Sequence, residues 1–145
     1  MKTTKIILIA LISALVLPAC AERDRIINVN DLPVKAQNFL KKFTGKQTSF
    51  IKLEREGMRK EFDVVFTDGS TIEFNADGEW TDVNCRQSAV PAGIVPNEIK
   101  NYVKKNYPSA TILQIEQYRH GYEIDLSNGL EIEFNKKFQV KNIEN

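Results

Sequence analysis

The chain is poor in the residues from which metal sites and nucleophilic active sites are most often built. Its 145 residues include one histidine, two cysteines and one tryptophan. It has no H-E-x-x-H, C-x-x-C or G-x-S-x-G motif and no P-loop. These absences exclude a zinc centre with several histidine or cysteine ligands and a serine triad on a nucleophile elbow. No metal, no cofactor and no catalytic residue is therefore expected.

The sequence also lacks an excess of charge of one sign and a long apolar run. Lys and Arg total 20 and Asp and Glu total 19, so the basic excess typical of nucleic-acid-binding proteins is missing. The apolar run from Ile6 to Leu17 is shorter than the roughly 20 residues of a membrane span. A hydrophobic content of 42% is ordinary for a globular protein. We therefore expect a folded domain that binds no nucleic acid.

The N-terminus predicts a secretory signal peptide over residues 1–21, followed by a charged tether over residues 22–30. Two lysines precede the apolar run, and small residues follow it at a candidate cleavage site. Cleavage after Ala21 would release the protein into the periplasm. The segment that ends at Cys20 also resembles a bacterial lipobox, and lipidation of Cys20 would anchor the protein to a membrane. Soluble processing is favoured, because Pro18 occupies a lipobox position that usually holds a small or aliphatic residue.

The second cysteine and the single histidine both have structural interpretations. Either processing route leaves Cys85 as the only available thiol, so an intramolecular disulfide is excluded even in an oxidising compartment. We expect Cys85 to be a buried small apolar residue. His120 precedes Gly121 between two predicted strands, which indicates an exposed turn.

Two segments, residues 31–85 and 95–145, resemble each other and are joined by a linker, residues 86–94, that contains proline and glycine. Near its start each has an apolar residue followed by proline, Leu32-Pro33 or Val95-Pro96, and each later contains Ile-Glu-Phe-Asn, starting at Ile72 or Ile132. In each segment, apolar residues at helical spacing and then strict alternation predict one helix followed by about four antiparallel strands. This repetition favours an α+β fold with two tandem helix-plus-strands repeats, whose helices pack on one face of a sheet.

Two glycine-containing loops determine the expected strand register. A three-residue loop with a left-handed glycine, Gly69 in the first segment and Gly129 in the second, keeps the apolar residues of both strands on one face. The same register follows in both hairpins and sets acidic residues directly opposite each other. The predicted acidic pairs are Asp63 with Glu73, Glu123 with Glu133, and Asp125 with Glu131.

This layout resembles the PepSY-like family of secreted proteins, whose members are likened to β-lactamase inhibitory protein. The resemblance rests on the secretory leader, the Leu/Val-Pro helix starts and the strands that end in Ile-Glu-Phe-Asn. It implies a sheet whose open, concave face can grip a protein. It implies no catalytic residues, and it does not imply that this chain inhibits a β-lactamase.

The polar face of the predicted sheet is the candidate binding surface. Like charges directly opposite each other are unfavourable, so three such pairs call for a reason. The simplest interpretation is a solvated face, screened by salt and by Lys141 beside Glu133. The functional interpretation is an acidic recognition face for a basic loop of a protein or peptide. The candidate residues are Lys52, Glu54, Asp63, Glu73, Glu123, Asp125, Glu131 and Glu133, with Trp80 and Tyr118 as aromatic anchors.

The expected function is that of a non-enzymatic binding module in the cell envelope, with a protein or peptide as its partner. It would contact a membrane only if Cys20 is lipidated, and modulation or inhibition of an envelope enzyme is implied only by the resemblance. Two alternatives stay open. A small hydrolase with paired carboxylates would need raised carboxylate pKa values in a deep pocket. A passive cation-binding protein could hold Ca²⁺ on the carboxylates of the second segment, although calcium ligands usually lie on a compact loop.

Overall fold

The computed structural model of the protein describes residues 24–86 and 88–145, so the predicted signal peptide and Cys20 lie outside the described residues. The strands are β1 (Arg25–Ile27), β2 (Thr48–Glu56), β3 (Arg59–Phe66), β4 (Thr71–Asn75), β5 (Trp80–Asn84), β6 (Ile112–Tyr118), β7 (Gly121–Leu126), β8 (Glu131–Asn135) and β9 (Val140–Glu144). The α-helices are α1 (Val34–Leu40) and α2 (Asn97–Asn106), and a single 3-10 turn covers Val29–Asp31.

The expected α+β fold with two tandem helix-plus-strands repeats, residues 31–85 and 95–145, is wrong. The described residues form mostly one nine-stranded antiparallel sheet in which the strands lie in chain order, with helices of only seven and ten residues. Strand β5 pairs with β6 through Val83 and Ile115, across the expected linker. Alternation predicts which side chains face the core, but it does not predict which strands pair across a connection. Pairing of β5 with β6 forms hydrogen bonds between the backbone groups at their edges. Those groups would stay unpaired if the two halves of the chain formed separate sheets.

Part of the segment expected to be a tether, residues 22–30, pairs with the sheet. Residues Arg25–Ile27 form the edge strand β1, in which Ile26 lies opposite Lys52 of β2. Three residues are too few for an alternation pattern to stand out from a charged neighbourhood.

The predicted hairpin register is confirmed in both places. Phe66 and Leu126 each donate a backbone hydrogen bond to the carbonyl oxygen four residues on, at 2.9 and 2.8 Å. Gly69 and Gly129 have φ angles of +83° and +89°, the left-handed conformation that the three-residue loops require. The acidic pairs therefore lie directly opposite each other, as expected.

Both helices pack on the same face of the sheet and cover its apolar residues. The Phe39 ring of α1 meets Phe74 of β4 edge-on at 5.6 Å, and the Tyr102 ring of α2 meets Phe134 of β8 edge-on at 5.4 Å. Both strand phenylalanines are fully buried, which contributes about 1.5–3 kcal/mol of stability for each ring. The opposite face carries the polar residues that alternate with the buried apolar residues along the strands. Neither α1 nor α2 lies on this face.

Two smaller predictions are confirmed. The Cys85 side chain is buried at the end of β5, and burial raises the pKa of its thiol. His120 is exposed in the turn between β6 and β7. Across the part of the chain that the structure covers, no helix is long and apolar enough to cross a membrane.

Candidate functional site: an acidic row across the open sheet face

A line of carboxylates crosses six adjacent strands on the face opposite the helices. Each member lies directly opposite the next one on the neighbouring strand. Because neighbouring strands lie about 4.8 Å apart, the line extends over roughly 24 Å. We call this set the acidic row; from β3 to β8 its members are Asp63, Glu73, Asp82, Glu116, Glu123 and Glu133.

Within the described residues, lysines face or contact the acidic row at its two ends, and Arg59, which pairs with Glu61, lies close enough to Glu73 to oppose the rise in its pKa. Lys52 of β2 lies opposite Asp63 of β3, and the Lys52 ammonium group contacts Asp24 at 2.9 Å and also Glu54. Lys141 of β9 contacts Glu133 at the other end, as the sequence predicts. Among the ion pairs within residues 24–86 and 88–145, none involves the four central members, Glu73, Asp82, Glu116 and Glu123.

A second polar row runs beside the first, two residues further along the strands. Asn84 of β5 lies opposite Gln114 of β6, and Gln114 in turn lies opposite Asp125 of β7. The row continues with Glu131 of β8 and Glu144 of β9. It adds three carboxylates to the same face, so the negative charge is concentrated toward β7, β8 and β9.

Asp82 is the most buried member of the acidic row, with only 8% of its surface exposed. Gln114 Nε2 donates a hydrogen bond to Asp82 Oδ1 at 2.7 Å and another to Glu116 Oε1 at 3.1 Å. Asn84 Nδ2 donates to Gln114 Oε1 at 2.7 Å, which fixes the orientation of the amide. Burial and then the charges of Glu116 and its neighbours raise the pKa of Asp82 to about 7, against the opposing effect of the Gln114 hydrogen bond.

Other carboxylates of the open face titrate abnormally for the same reasons. Burial and then the facing carboxylates raise the pKa of Glu123 to about 7. Burial, followed by the charges of Glu54 and Glu73, raises the pKa of Asp63 to about 6. Burial first and nearby carboxylates second raise the pKa values of Glu73 and Glu116, and burial raises that of Asp125. The open face therefore carries a line of partly buried carboxyl groups with too few positive side chains nearby to balance their charge.

The geometry suits several separate cations better than one metal ion. A calcium site gathers six to eight oxygen ligands around one point. Here the carboxylates stand on separate strands along a line, and the described part of the chain contains no group of three His, Cys, Asp or Glu residues able to hold a metal ion. The arrangement can instead pair with the separate positive groups of a basic ligand.

The structure brings together the eight charged residues predicted for the open face, and it separates the two predicted aromatic anchors. Tyr118 lies on the open face and is 36% exposed, with its hydroxyl 3.4 Å from the carbonyl oxygen of Tyr122. Trp80 lies on the opposite face, where it stacks on Phe39 of α1 at 6.1 Å. A bulge explains this: Asp82 pairs with Glu73 but Trp80 pairs with Phe74, so Trp80 and Asp82 face opposite sides.

Two central members of the row, Asp82 and Glu116, are not among the residues predicted from the sequence. Each stands next to a fully buried residue of its strand, Val83 or Ile115, and alternation therefore places both carboxylates on the polar face. Alternation thus predicts the face on which each carboxylate lies, but only the pairing of β5 with β6 brings the two residues into one line.

A family model described as "Putative beta-lactamase-inhibitor-like, PepSY-like" matches residues 60–142. The chain belongs to this PepSY-like family. No curated protein matches it.

Three similar solved structures cover most of the chain. A protein of Bacteroides vulgatus, described as a "putative periplasmic protein" from the DUF2874 family, is 47% identical with a TM-score of 0.83, over 86% of this chain and 99% of that one. A "putative calcium-regulated periplasmic protein" of Bacteroides thetaiotaomicron is 38% identical with a TM-score of 0.83, at the same coverage. A third, of unknown function from Bacteroides vulgatus, is 34% identical with a TM-score of 0.80, over 85% and 100%.

Proposed function

We propose that the protein is a non-enzymatic binding module of the periplasm, and that its acidic sheet face binds a basic segment of a protein or peptide. Two findings support the location: the N-terminus has the pattern of a secretory signal, and similar solved structures are described as periplasmic. The soluble form is the proposed one, and membrane attachment through Cys20 is the alternative.

The acidic row is the observation that carries this proposal. Three adjacent members, Asp82, Glu116 and Glu123, have raised pKa values and no ion pair with a lysine or arginine of the described residues. Their mutual repulsion lowers the stability of the free protein. A ligand that brings lysine or arginine to this line relieves the repulsion, so part of the binding free energy is already stored in the fold.

A calcium-binding role is the second candidate, because one similar structure is described as calcium-regulated. The carboxylates nearest to each other on β7 and β8 include the facing pairs Glu123 with Glu133 and Asp125 with Glu131. The spread of these groups along two strands disfavours a single calcium cage, because a calcium site gathers its oxygen ligands around one point. Calorimetric titration with CaCl₂ distinguishes the two candidates, since the basic-segment proposal expects no stoichiometric calcium binding.

A carboxylate hydrolase is less well supported. The raised pKa values that such an enzyme requires are present, but the acidic row itself stands on an open sheet face. A cavity of about 360 Å³ on that face is lined by Asp125 and Glu131 of the second row and not by the facing pair Glu116 and Glu123. An exposed pair on a flat face excludes little water and offers no walls to orient a substrate.

Neutralising the centre of the acidic row is expected to weaken binding of a basic peptide at least about tenfold, a loss of about 1.4 kcal/mol. The variant is the triple substitution Asp82→Asn, Glu116→Gln and Glu123→Gln. The probe is a fluorescein-labelled peptide of four Lys-Ala repeats followed by tyrosine, with an amidated C-terminus. Fluorescence anisotropy at pH 8 and low salt measures the dissociation constant, and added salt should weaken wild-type binding.

A second triple variant controls for total charge. Glu56→Gln, Asp77→Asn and Glu98→Gln remove the same charge from exposed positions outside the acidic row. This control should bind the peptide nearly as tightly as wild type. Equal losses in both triple variants would mean that only net charge attracts the peptide, and wild-type protein that does not bind the peptide would refute the proposal.

A further inference from the structure

A notch of about 460 Å³ opens at the end of the sheet beside the acidic row. It lies where β5 and β6 separate, because their pairing ends at Asp82 and Glu116. Beyond that point, Gln117 Nε2 reaches across the gap and donates to the backbone oxygen of Trp80 at 3.0 Å. Around the notch lie Asn75, Glu79, Tyr118, Arg119, Tyr122 and Lys136.

The charge of the notch is opposite to that of the face beside it. Arg119 in the β6–β7 turn and Lys136 in the β8–β9 turn are both exposed. Neither takes part in an ion pair within residues 24–86 and 88–145. The amide of Asn75 and the phenol of Tyr118 add neutral hydrogen-bonding groups at the same place. Glu79 also lines the notch, but Lys35 pairs with its carboxylate at 2.8 Å, so Arg119 and Lys136 leave the notch with a net positive charge that favours a carboxylate as ligand.

Tyr118 links the notch to the acidic row. It follows Glu116 by two residues on β6, so both side chains lie on the open face. Burial, with the charges of Glu133 and Glu123, raises the pKa of Tyr118 to about 12, so the phenol stays a neutral donor at neutral pH. On the other side of the notch, Tyr122 is held by stacking on Phe138 at 5.5 Å.

The spacing along β6 and β7 matches an extended peptide. Asp125 in the second row, Glu123 in the acidic row and the turn that holds Arg119 follow one another along the strand direction. Positions two residues apart on a strand lie about 6.7 Å apart, which is also the distance between alternate side chains of an extended ligand. Two alternate basic side chains can therefore meet the two carboxylate rows while the next part of the ligand reaches the notch.

We propose that the notch between Arg119 and Lys136 binds the C-terminal carboxylate of the partner, so that the partner is a basic segment with a free C-terminus lying along β6 and β7. This assignment rests on the proposed function, because the acidic rows bind the basic side chains that precede the terminus. It also gives the bound segment one direction, since only its C-terminal end carries the negative group.

The test compares two forms of the Lys-Ala-repeat peptide, one with a free C-terminal carboxylate and one with an amide. Wild-type protein should bind the free-acid form about three- to tenfold more tightly. The double variant Arg119→Ala and Lys136→Ala should lose this preference without weakening its binding of the amide. Both residues are exposed in turns, so the variant is expected to fold normally. The control variant Lys41→Ala and Lys104→Ala, at exposed positions outside the notch, should keep the preference.

The outcomes separate the two proposals. Equal affinity of wild-type protein for the two peptides would overturn the assignment of the notch and leave the acidic row untouched. A preference for the free acid that persists in the Arg119/Lys136 variant would also overturn it, because the carboxylate would then bind elsewhere. Failure of the amide peptide to bind at all would refute the proposed function itself.

Discussion

Replacement of Gly121 by alanine is expected to destabilise the protein by at least about 3 kcal/mol and to prevent folding in a marginally stable background. A Cβ atom at this position would lie 1.8 Å from the backbone oxygen of Phe134 and 2.9 Å from its carbonyl carbon. Those atoms belong to β8, which pairs with β7 here through Gly121 and Asn135. Relief of the clash therefore requires the two strands to separate at one end of the sheet.

Urea unfolding followed by circular dichroism measures the loss in the free energy of unfolding. Gly93→Ala is the matched control, because no atom outside its neighbours lies within 4 Å of the added Cβ atom. This control should change stability by no more than about 0.5 kcal/mol. A Gly121→Ala protein as stable as the Gly93→Ala protein would contradict the close approach of β7 and β8 described above.

The protein is expected to become more stable as the pH falls from 8 to 5. The pKa of Asp82 is raised to about 7 and that of Asp63 to about 6 in the folded state, while both are near 4 in an unfolded chain. The folded state therefore binds more protons than the unfolded state between about pH 4 and pH 7. Stability falls with rising pH wherever the folded state holds more protons than the unfolded state. The loss of stability caused by ionising these carboxyl groups is therefore complete above about pH 7.

The expected difference between pH 5 and pH 8 is roughly 2–4 kcal/mol, discounted for screening of the half-exposed groups. Thermal unfolding at the two pH values measures it, with a shift in melting temperature on the order of 10 °C. Asp82→Asn should be more stable than wild type at pH 8 and should show a smaller pH dependence. The Lys46–Asp68 pair has the opposite influence on stability, because it lowers the pKa of Asp68 to about 2. Its pH dependence is confined to values below about pH 4 and does not affect the range from pH 5 to pH 8. A wild-type protein that is most stable at pH 8 would contradict the electrostatics of the acidic row.

The sequence predicts the local parts of this fold well. The register of the β3–β4 and β7–β8 hairpins follows from one loop type, because glycine at positions 69 and 129 and the alternation of apolar residues admit one solution. The burial of Cys85 and the exposure of His120 follow from composition and neighbours alone. These predictions involve residues within a few positions of each other, where geometry leaves few choices.

The non-local parts are where sequence reasoning fails. Pairing of β5 with β6 joins residues that are about 30 positions apart, and no local pattern specifies it. The bulge that turns Trp80 toward the helices cannot be read from alternation, because it interrupts the alternation. Asp82 illustrates the consequence: its charge is evident in the sequence, but its burial beside Gln114 depends on a neighbouring strand that arrives later in the chain.

The most direct test of the central claim is an NMR titration of ¹⁵N-labelled protein with the amidated Lys-Ala peptide. If the acidic face binds basic segments, backbone amide shifts should move along β5, β6 and β7, around Asp82, Glu116 and Glu123, while those of α2 stay unchanged. Shifts confined to the helix-covered face, or saturable binding with no shifts at the acidic row, would contradict the account.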